Sequence, residues 1–168
     1  MREMVKKHKI ALFLKNESTF KRIKKSETLT LSMNPTETEH DYIADESPTT
    51  ELDKYNPSID QDLTIFKGEE DYEMIWPYFY EMKTGAEAHT DCMIVFMHEP
   101  VDESGNPAEN PESIAGYKAW LTDSVISVQD MNAVDSKLNF KVLFGGTVKK
   151  GTATVADGVP TFKEKSEK

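Results

Sequence analysis

A mainly β (α+β) fold with one helix and long loops is what this sequence predicts, on three observations. Apolar residues alternate with polar ones in short segments such as "TLTLSM" (28–33) and "LNFKVLF" (138–144), the period of a strand with one covered face. A single segment, "EEDYEMIWPYFYEMKTG" (69–85), carries its apolar residues at helical spacing. Half of the eight prolines follow an asparagine, at Asn34-Pro35, Asn56-Pro57, Asn106-Pro107 and Asn110-Pro111, which is turn chemistry set between strands. The length of 168 residues fits one domain, 1–168.

Along the chain, one apolar run ends and another begins between Phe13 and Arg22, with "KNES" as the turn. In "TLTLSM", Leu29, Leu31 and Met33 face one way and Thr28, Thr30 and Ser32 the other, a half-buried strand. "ETEHDYIA" can resume as a strand. "DESPTTELDKYNPS" is rich in turn formers, and Pro48 and Pro57 exclude a continuous central strand there. Residues 40–60 therefore read as a long acidic loop, and "DLTIF" returns to strand character.

In the helical segment Asp71 is the expected N-cap, and Met74, Ile75, Tyr78, Phe79 and Met82 form the apolar stripe. Lys83 falls in the expected last turn and Gly85 at the C-cap, while Pro77 should kink or split the helix. "CMIVFMH" (92–98) is apolar on both faces and reads as a strand covered on both sides. A surface loop, "EPVDESGNPAENPES", precedes two strands, "IAGYKAWL" and "SVISVQD". "LNFKVLF" puts Leu138, Phe140, Val142 and Phe144 on one side, and "GGTVKKGTATVADGVPTF" reads as short strands separated by glycine turns. Residues 163–168 read as a frayed tail.

Charge is strongly segregated. Residues 1–25 hold nine basic and two acidic side chains, a net of +7. Residues 26–135 hold four basic and twenty-five acidic ones, a net of −21, and residues 136–168 return to +4. So acidic a chain is not expected to grip nucleic acid, and opposed patches favour docking in a fixed register. No segment reaches the ~18 apolar residues of a membrane helix, and the apolar stretch Ile10 to Leu14 is shorter than a signal-peptide core. The one cysteine, Cys92, lies in an apolar run and reads as a small core residue of a protein made in a reducing cytoplasm.

Signs of catalysis are poor: there is no P-loop, no G-x-G-x-x-G and no G-x-S-x-G. No enzyme activity and no cofactor is expected. "HTD" (89–91) offers two metal ligands without a third, and "FGGTVKKG" reads as a hairpin turn rather than a phosphate cradle. Trp76 and Trp120 read as core. From Glu37 to Asp53 there are seven carboxylates and no Lys or Arg. His40, Asp41, Asp45 and Glu46 are the candidate ligands of a small metal-binding module there, but the run lacks the spacing of an EF-hand. Disorder is a second reading of the run. Against it stand the recurring apolar residues Tyr42, Ile43, Leu52, Tyr55 and Ile59.

The order of these pieces resembles the major tail tube proteins of long-tailed bacteriophages and prophages of Gram-positive bacteria. The likeness runs through "ETLTLSMNPTETEHDYIADESPTTELDKYNPSI" with its Tyr55-Asn56-Pro57-Ser58 element, and through "FKGEEDYEMI" and "KTGAEAHTDCMIVFM". It closes on "LNFKVLFGGTVKKGTATV", where a Gly-x-x-x-x-Gly-Thr pattern falls at Gly146 to Thr152. Trp76-Pro77 in the helix and the basic first 25 residues depart from the family pattern. The resemblance implies a β-sandwich or barrel with a helix packed on the sheet. It also implies a structural subunit of stacked hexameric rings whose hollow tube conducts double-stranded DNA in the virion tail, without binding it specifically. The partners implied are other copies and tail proteins such as the tape measure and terminator, with no membrane. A tail terminator, a phage-like bacteriocin and a type VI-like tube are the alternatives.

Within that reading the acidic loop becomes an assembly element carrying Tyr42, Ile43, Asp45, Glu46, Leu52, Asp53 and Tyr55. Its expected counterparts are the basic segments holding Lys21, Arg22, Lys24 and Lys25, and Lys149 and Lys150.

Overall fold

The computed structural model describes residues 2–165 and contains eleven strands and one α-helix. The strands are β1 (Ile10–Asn16), β2 (Thr19–Arg22), β3 (Ser26–Ser32), β4 (Pro35–His40), β5 (Thr49–Tyr55) and β6 (Ser58–Thr64). After the helix α1 (Glu70–Tyr80) come β7 (His89–Val101), β8 (Gly116–Asn132), β9 (Lys137–Phe144), β10 (Lys149–Ala156) and β11 (Val159–Glu164).

Nine strands make one curled sheet in the order β2-β1-β7-β8-β9-β6-β3, with β10 paired to β8 and β11 to β10. Every pairing is antiparallel. The two strands expected from "IAGYKAWL" and "SVISVQD" are one strand of 17 residues, β8. Its first part lies between β7 and β10, and its second part pairs with β9.

Each face of the sheet has its own core. On one, Leu12, Leu14, Cys92, Ile94, Ile126 and Phe140 pack under Met74 and Ile75 of α1. On the other, Phe13, Met93, Val95 and Ala119 pack under the β10–β11 hairpin. Cys92 to Val95 are four consecutive buried residues, so β7 is covered on both sides as its unbroken apolar run predicts. The hairpin turns at Asp157-Gly158, both at positive φ (51° and 76°), the geometry that suits a two-residue connection between twisted strands. Gly151 sits inside β10, where a Cβ would lie 2.2 Å from the Lys163 carbonyl oxygen. Only a residue without a side chain allows β11 so close.

Several expectations need correction. The glycines of "FGGTVKKG" do not turn a hairpin: β9 and β10 are not paired, and this segment carries the chain on from β9, which ends opposite Ser124, to β10, which begins opposite Leu121 of the same strand β8. The helix is not split at Pro77: it continues through the proline to Tyr80, and the Glu81 N–H donates to the Pro77 carbonyl at 3.0 Å. Asp71 is not the N-cap, which is Glu69. The helix stops at Tyr80, Met82 takes a left-handed φ of 49°, and Gly85 opens a 3-10 turn (Gly85–Ala88) instead of capping α1. Residues 163 and 164, expected in a frayed tail, are the last of β11, and residues 166–168 lie outside the described residues. β3 is no half-buried strand in the single chain. It ends the sheet, none of its residues is fully buried, and Leu29 is 40% exposed.

Candidate assembly surface

The acidic segment is not a loop. Pro35 to Tyr55 folds on itself as a two-stranded antiparallel sheet of its own, β4 with β5, registered from Pro35↔Tyr55 to His40↔Thr49. The turn formers between the strands, Asp41 to Pro48, make its tip. Residues 56–60, also expected in the loop, return to the main sheet, where β6 lies between β3 and β9. Seven residues of β5 span about 24 Å, so the hairpin is an arm of that length with the tip beyond it.

Two asparagines hold the root. The Asn56 N–H donates to the Met33 carbonyl at 3.1 Å, while the Asn34 side chain donates to the Asn56 carbonyl at 3.0 Å and to the Ser58 hydroxyl at 3.1 Å. Asn34 takes φ 44°, a left-handed conformation that asparagine adopts more readily than most residues. Two of the four Asn-Pro pairs read as turn starters, Asn34-Pro35 and Asn56-Pro57, thus form the root of the arm.

Along the arm only His40 is even half-buried, and every residue of β5 is exposed. Of the named assembly residues, Tyr42 is 55% exposed, Ile43 106%, Leu52 50% and Tyr55 51%. Asp45 and Glu46 sit at the tip, and Asp53 accepts a hydrogen bond from the Thr38 hydroxyl across the strands. His40 stacks on Tyr42 at 5.3 Å between ring centroids and lies 3.6 Å from Glu51. An isolated two-stranded hairpin in water is marginal, and this one keeps four large apolar side chains in solvent.

The suggested metal ligands do not converge: among the described residues no three His, Cys, Asp or Glu side chains form a group that could hold an ion. In "HTD", His89 Nδ1 is 2.8 Å from Asp123 Oδ2, and Asp91 pairs with Lys15 at 3.5 Å. Each acid has its own partner.

The basic residues divide between two places. Lys149 and Lys150 lie exposed on β10, opposite Leu121 and Trp120 of β8. Lys21, Arg22, Lys24 and Lys25 surround the turn from β2 to β3. The Lys21 ammonium is 3.0 Å from Glu70, Arg22 donates to the His8 carbonyl at 3.1 Å, and Lys25 lies over the Phe66 ring at 5.7 Å. Asp71, 2% exposed, organises this turn: its Oδ2 accepts the backbone N–H groups of Lys24 and Lys25, both at 2.9 Å. An aspartate at the head of a helix invites an N-cap reading, and nothing local in the sequence shows that its partners lie 46 and 47 residues upstream.

One broad face of the sheet remains open where the β10–β11 hairpin does not reach. Its acids meet bases on neighbouring strands: Asp60 with Lys141 at 3.7 Å, Asp62 with Lys137 at 3.9 Å, Asp91 with Lys15 and Asp123 with His89.

No family model and no curated protein matches the chain. Solved structures do match in fold. One is a chain in the "tail of empty GTA particle", refined helically with C6 symmetry. It has a TM-score of 0.56 and 10% identity over 86% of this chain and 97% of that one. Another comes from the sheath/tube terminator, in the extended state, of the extracellular contractile injection system PVC. Its TM-score is 0.53, with 7% identity over 89% of this chain and 97% of the other. The curled, mainly β fold is therefore that of chains in tail-like particles, and the match spans nearly the whole of each.

Proposed function

We propose that this protein is a structural subunit of a phage-like tail, a tube protein whose copies form stacked, hexameric rings around a channel for double-stranded DNA. The observation that carries the reading is the exposed β4–β5 arm, projecting from a fold otherwise found in tail particles. A free subunit keeps the arm's apolar side chains in water, and a neighbouring copy covers them. Among the described residues the edge strands β2 and β3 are unpaired on their outer sides. Sheet edges of this kind are completed by neighbours when copies associate side by side, which also removes an aggregation hazard. Such heterologous contacts close into rings by rotation and build a stack by translation.

The open face of the sheet suits the wall of a conduit. Its acids and bases are tied to one another across strands, and the chain carries a net charge of −10. A surface of that kind offers few free cations to passing phosphates, and beyond a screening length of ~8 Å its charge is largely screened. The role is structural rather than catalytic. Its partners are further copies and the tail proteins at either end of the tube, and its place is the virion tail of a phage or prophage.

The test is negative-stain electron microscopy of the concentrated protein beside a variant in which Pro35–Tyr55 is replaced by two glycines. Asn34 and Asn56 already meet at the root, so the short link closes without strain. The wild type is expected to form rings or tubes. The variant is expected to stay folded and soluble without polymerising, because the arm supplies no residue to either core. Tubes from the armless variant would remove the arm from assembly. A wild type that stays monomeric at every concentration would overturn the tube reading.

A further inference from the structure

The arm's counterpart can be placed more narrowly than "a basic segment". Between β1–β2 and the first half of β3 lies a cleft of about 570 Å³. Its floor is Ile10, Leu12, Ile23 and Leu29, and its rim carries Lys7, His8, Arg22 and Lys24. The single carboxylate in the lining, Glu27, is drawn off by Lys137 at 3.2 Å. Lys7 and Lys24 make no ion pair among the described residues. The cleft is thus apolar below and cationic above.

The other basic candidate differs. The groove beside Lys150 also holds Lys118, Lys163 and Lys165, but it shares them with Asp102, Glu103 and Glu164. Lys118 is already 3.2 Å from Glu99. That groove is close to neutral.

Resting on the tube reading, we propose that the β2–β3 cleft is the socket for the acidic arm of a second copy of this chain. Tyr42 and Ile43 would seat on Ile10 and Leu29, and the carboxylates from Glu37 to Asp53 would face Lys7, Arg22 and Lys24. The match is one of charge and of apolar surface together: seven carboxylates against a single lysine, Lys54, on the arm, and unneutralised cations around an apolar floor in the cleft. Topology makes the occupant a neighbour. The arm leaves the C-terminal end of β3 at Met33, whereas the cleft lies along its N-terminal half, Ser26 to Leu29. The root of the arm and the cleft lie toward opposite ends of one strand, and in the single chain every residue of β5 stays exposed rather than seated in the cleft. An arm seated in the cleft of the next copy is a heterologous, head-to-tail contact.

The test uses full-length chains. Copies carrying Ile43→Cys are mixed with copies carrying either Leu29→Cys or Lys149→Cys, allowed to assemble, and treated with a short bis-maleimide. Cys92 is fully buried and stays out of the reaction. Cross-linked heterodimer is expected with Leu29→Cys and not with Lys149→Cys. A second arm compares Lys7→Glu/Lys24→Glu with Lys149→Glu/Lys150→Glu. The first pair should raise the concentration needed for assembly by about tenfold or more, since like charges then oppose each other at the docking site, and circular dichroism checks that both variants fold. The second pair should change it little. Assembly with cross-links at Lys149→Cys instead would overturn the socket while leaving the tube reading intact. Failure of the wild type to assemble at all would overturn both.

Discussion

Replacing Asp71 with alanine probes the joint between the helix and the basic turn. The carboxylate is 2% exposed, and one of its oxygens accepts two backbone N–H groups, from Lys24 and Lys25, at 2.9 Å each. Its other oxygen takes the adjacent Tyr72 N–H, also at 2.9 Å. A hydrogen bond to a charged group contributes about 1.5–3 kcal/mol, and donors left without a partner keep their desolvation cost. The two bonds that cross from helix to turn therefore imply a loss of about 3–5 kcal/mol in Asp71→Ala. For a domain of this size that corresponds to a melting point lower by roughly 10 °C. Asp71→Asn keeps an acceptor of the same shape without the charge and should lose only about 1–2 kcal/mol. Urea titration of both variants gives the stability directly, with the slope expected to stay that of the wild type. A loss below about 1 kcal/mol in Asp71→Ala, or an asparagine variant as unstable as the alanine one, would refute the argument that these charged bonds hold the turn. Lys24 rides on this turn, so wild-type assembly in a destabilised Asp71→Ala would also count against a socket that depends on its position.

Gly151→Ala should destabilise the protein by about 1–3 kcal/mol, because the new Cβ meets a backbone oxygen at 2.2 Å and a phenyl edge at 2.8 Å and β11 must move away. Thermal unfolding beside Gly158→Ala, where open space surrounds the site and the cost is only that of a left-handed φ, separates crowding from backbone strain. Cys92 should resist alkylation in the native protein and react fully in urea. Burial, with the Asp91 charge adding to it, pushes the thiol well above its ordinary range. The native state therefore holds the proton more tightly than the unfolded one. Stability from this group is complete at neutral pH and declines as the pH rises past the ordinary thiol value of about 8.5. Cys92→Ala should abolish that part of the alkaline decline, as read in urea midpoints between neutral and alkaline buffer.

Much of the fold was legible because strand and helix patterns are local. Leu138, Phe140 and Val142 alternate inward in β9, four adjoining apolar residues mark β7 as doubly covered, and Met74 and Ile75 mark the buried stripe of α1. The apolar residues of the acidic segment were legible too, as were the two Asn-Pro pairs that form the arm's root. Of its strands, β4 was foreshadowed where "ETEHDYIA" can resume as a strand, and β5 was not. The carboxylates and threonines of β5, exposed on both faces, carry no alternation to read, and β5 is recognisable only once it is seen to pair with β4.

Composition and spacing by themselves determined that this chain is mainly β with one helix, that its acids and bases are segregated, and that Tyr42, Ile43, Leu52 and Tyr55 punctuate its most acidic stretch. Those properties follow from neighbours a few residues apart. Tertiary structure alone decided which strand edges stay open, that β10 lies on β8 rather than on β9, and that Asp71 serves Lys24 and Lys25. It also decided that the cations around β2 border an apolar cleft while those on β10 share their groove with acids. Each of these depends on contacts between segments distant in the chain, where the pairing partner, and not the residue's own pattern, sets the outcome.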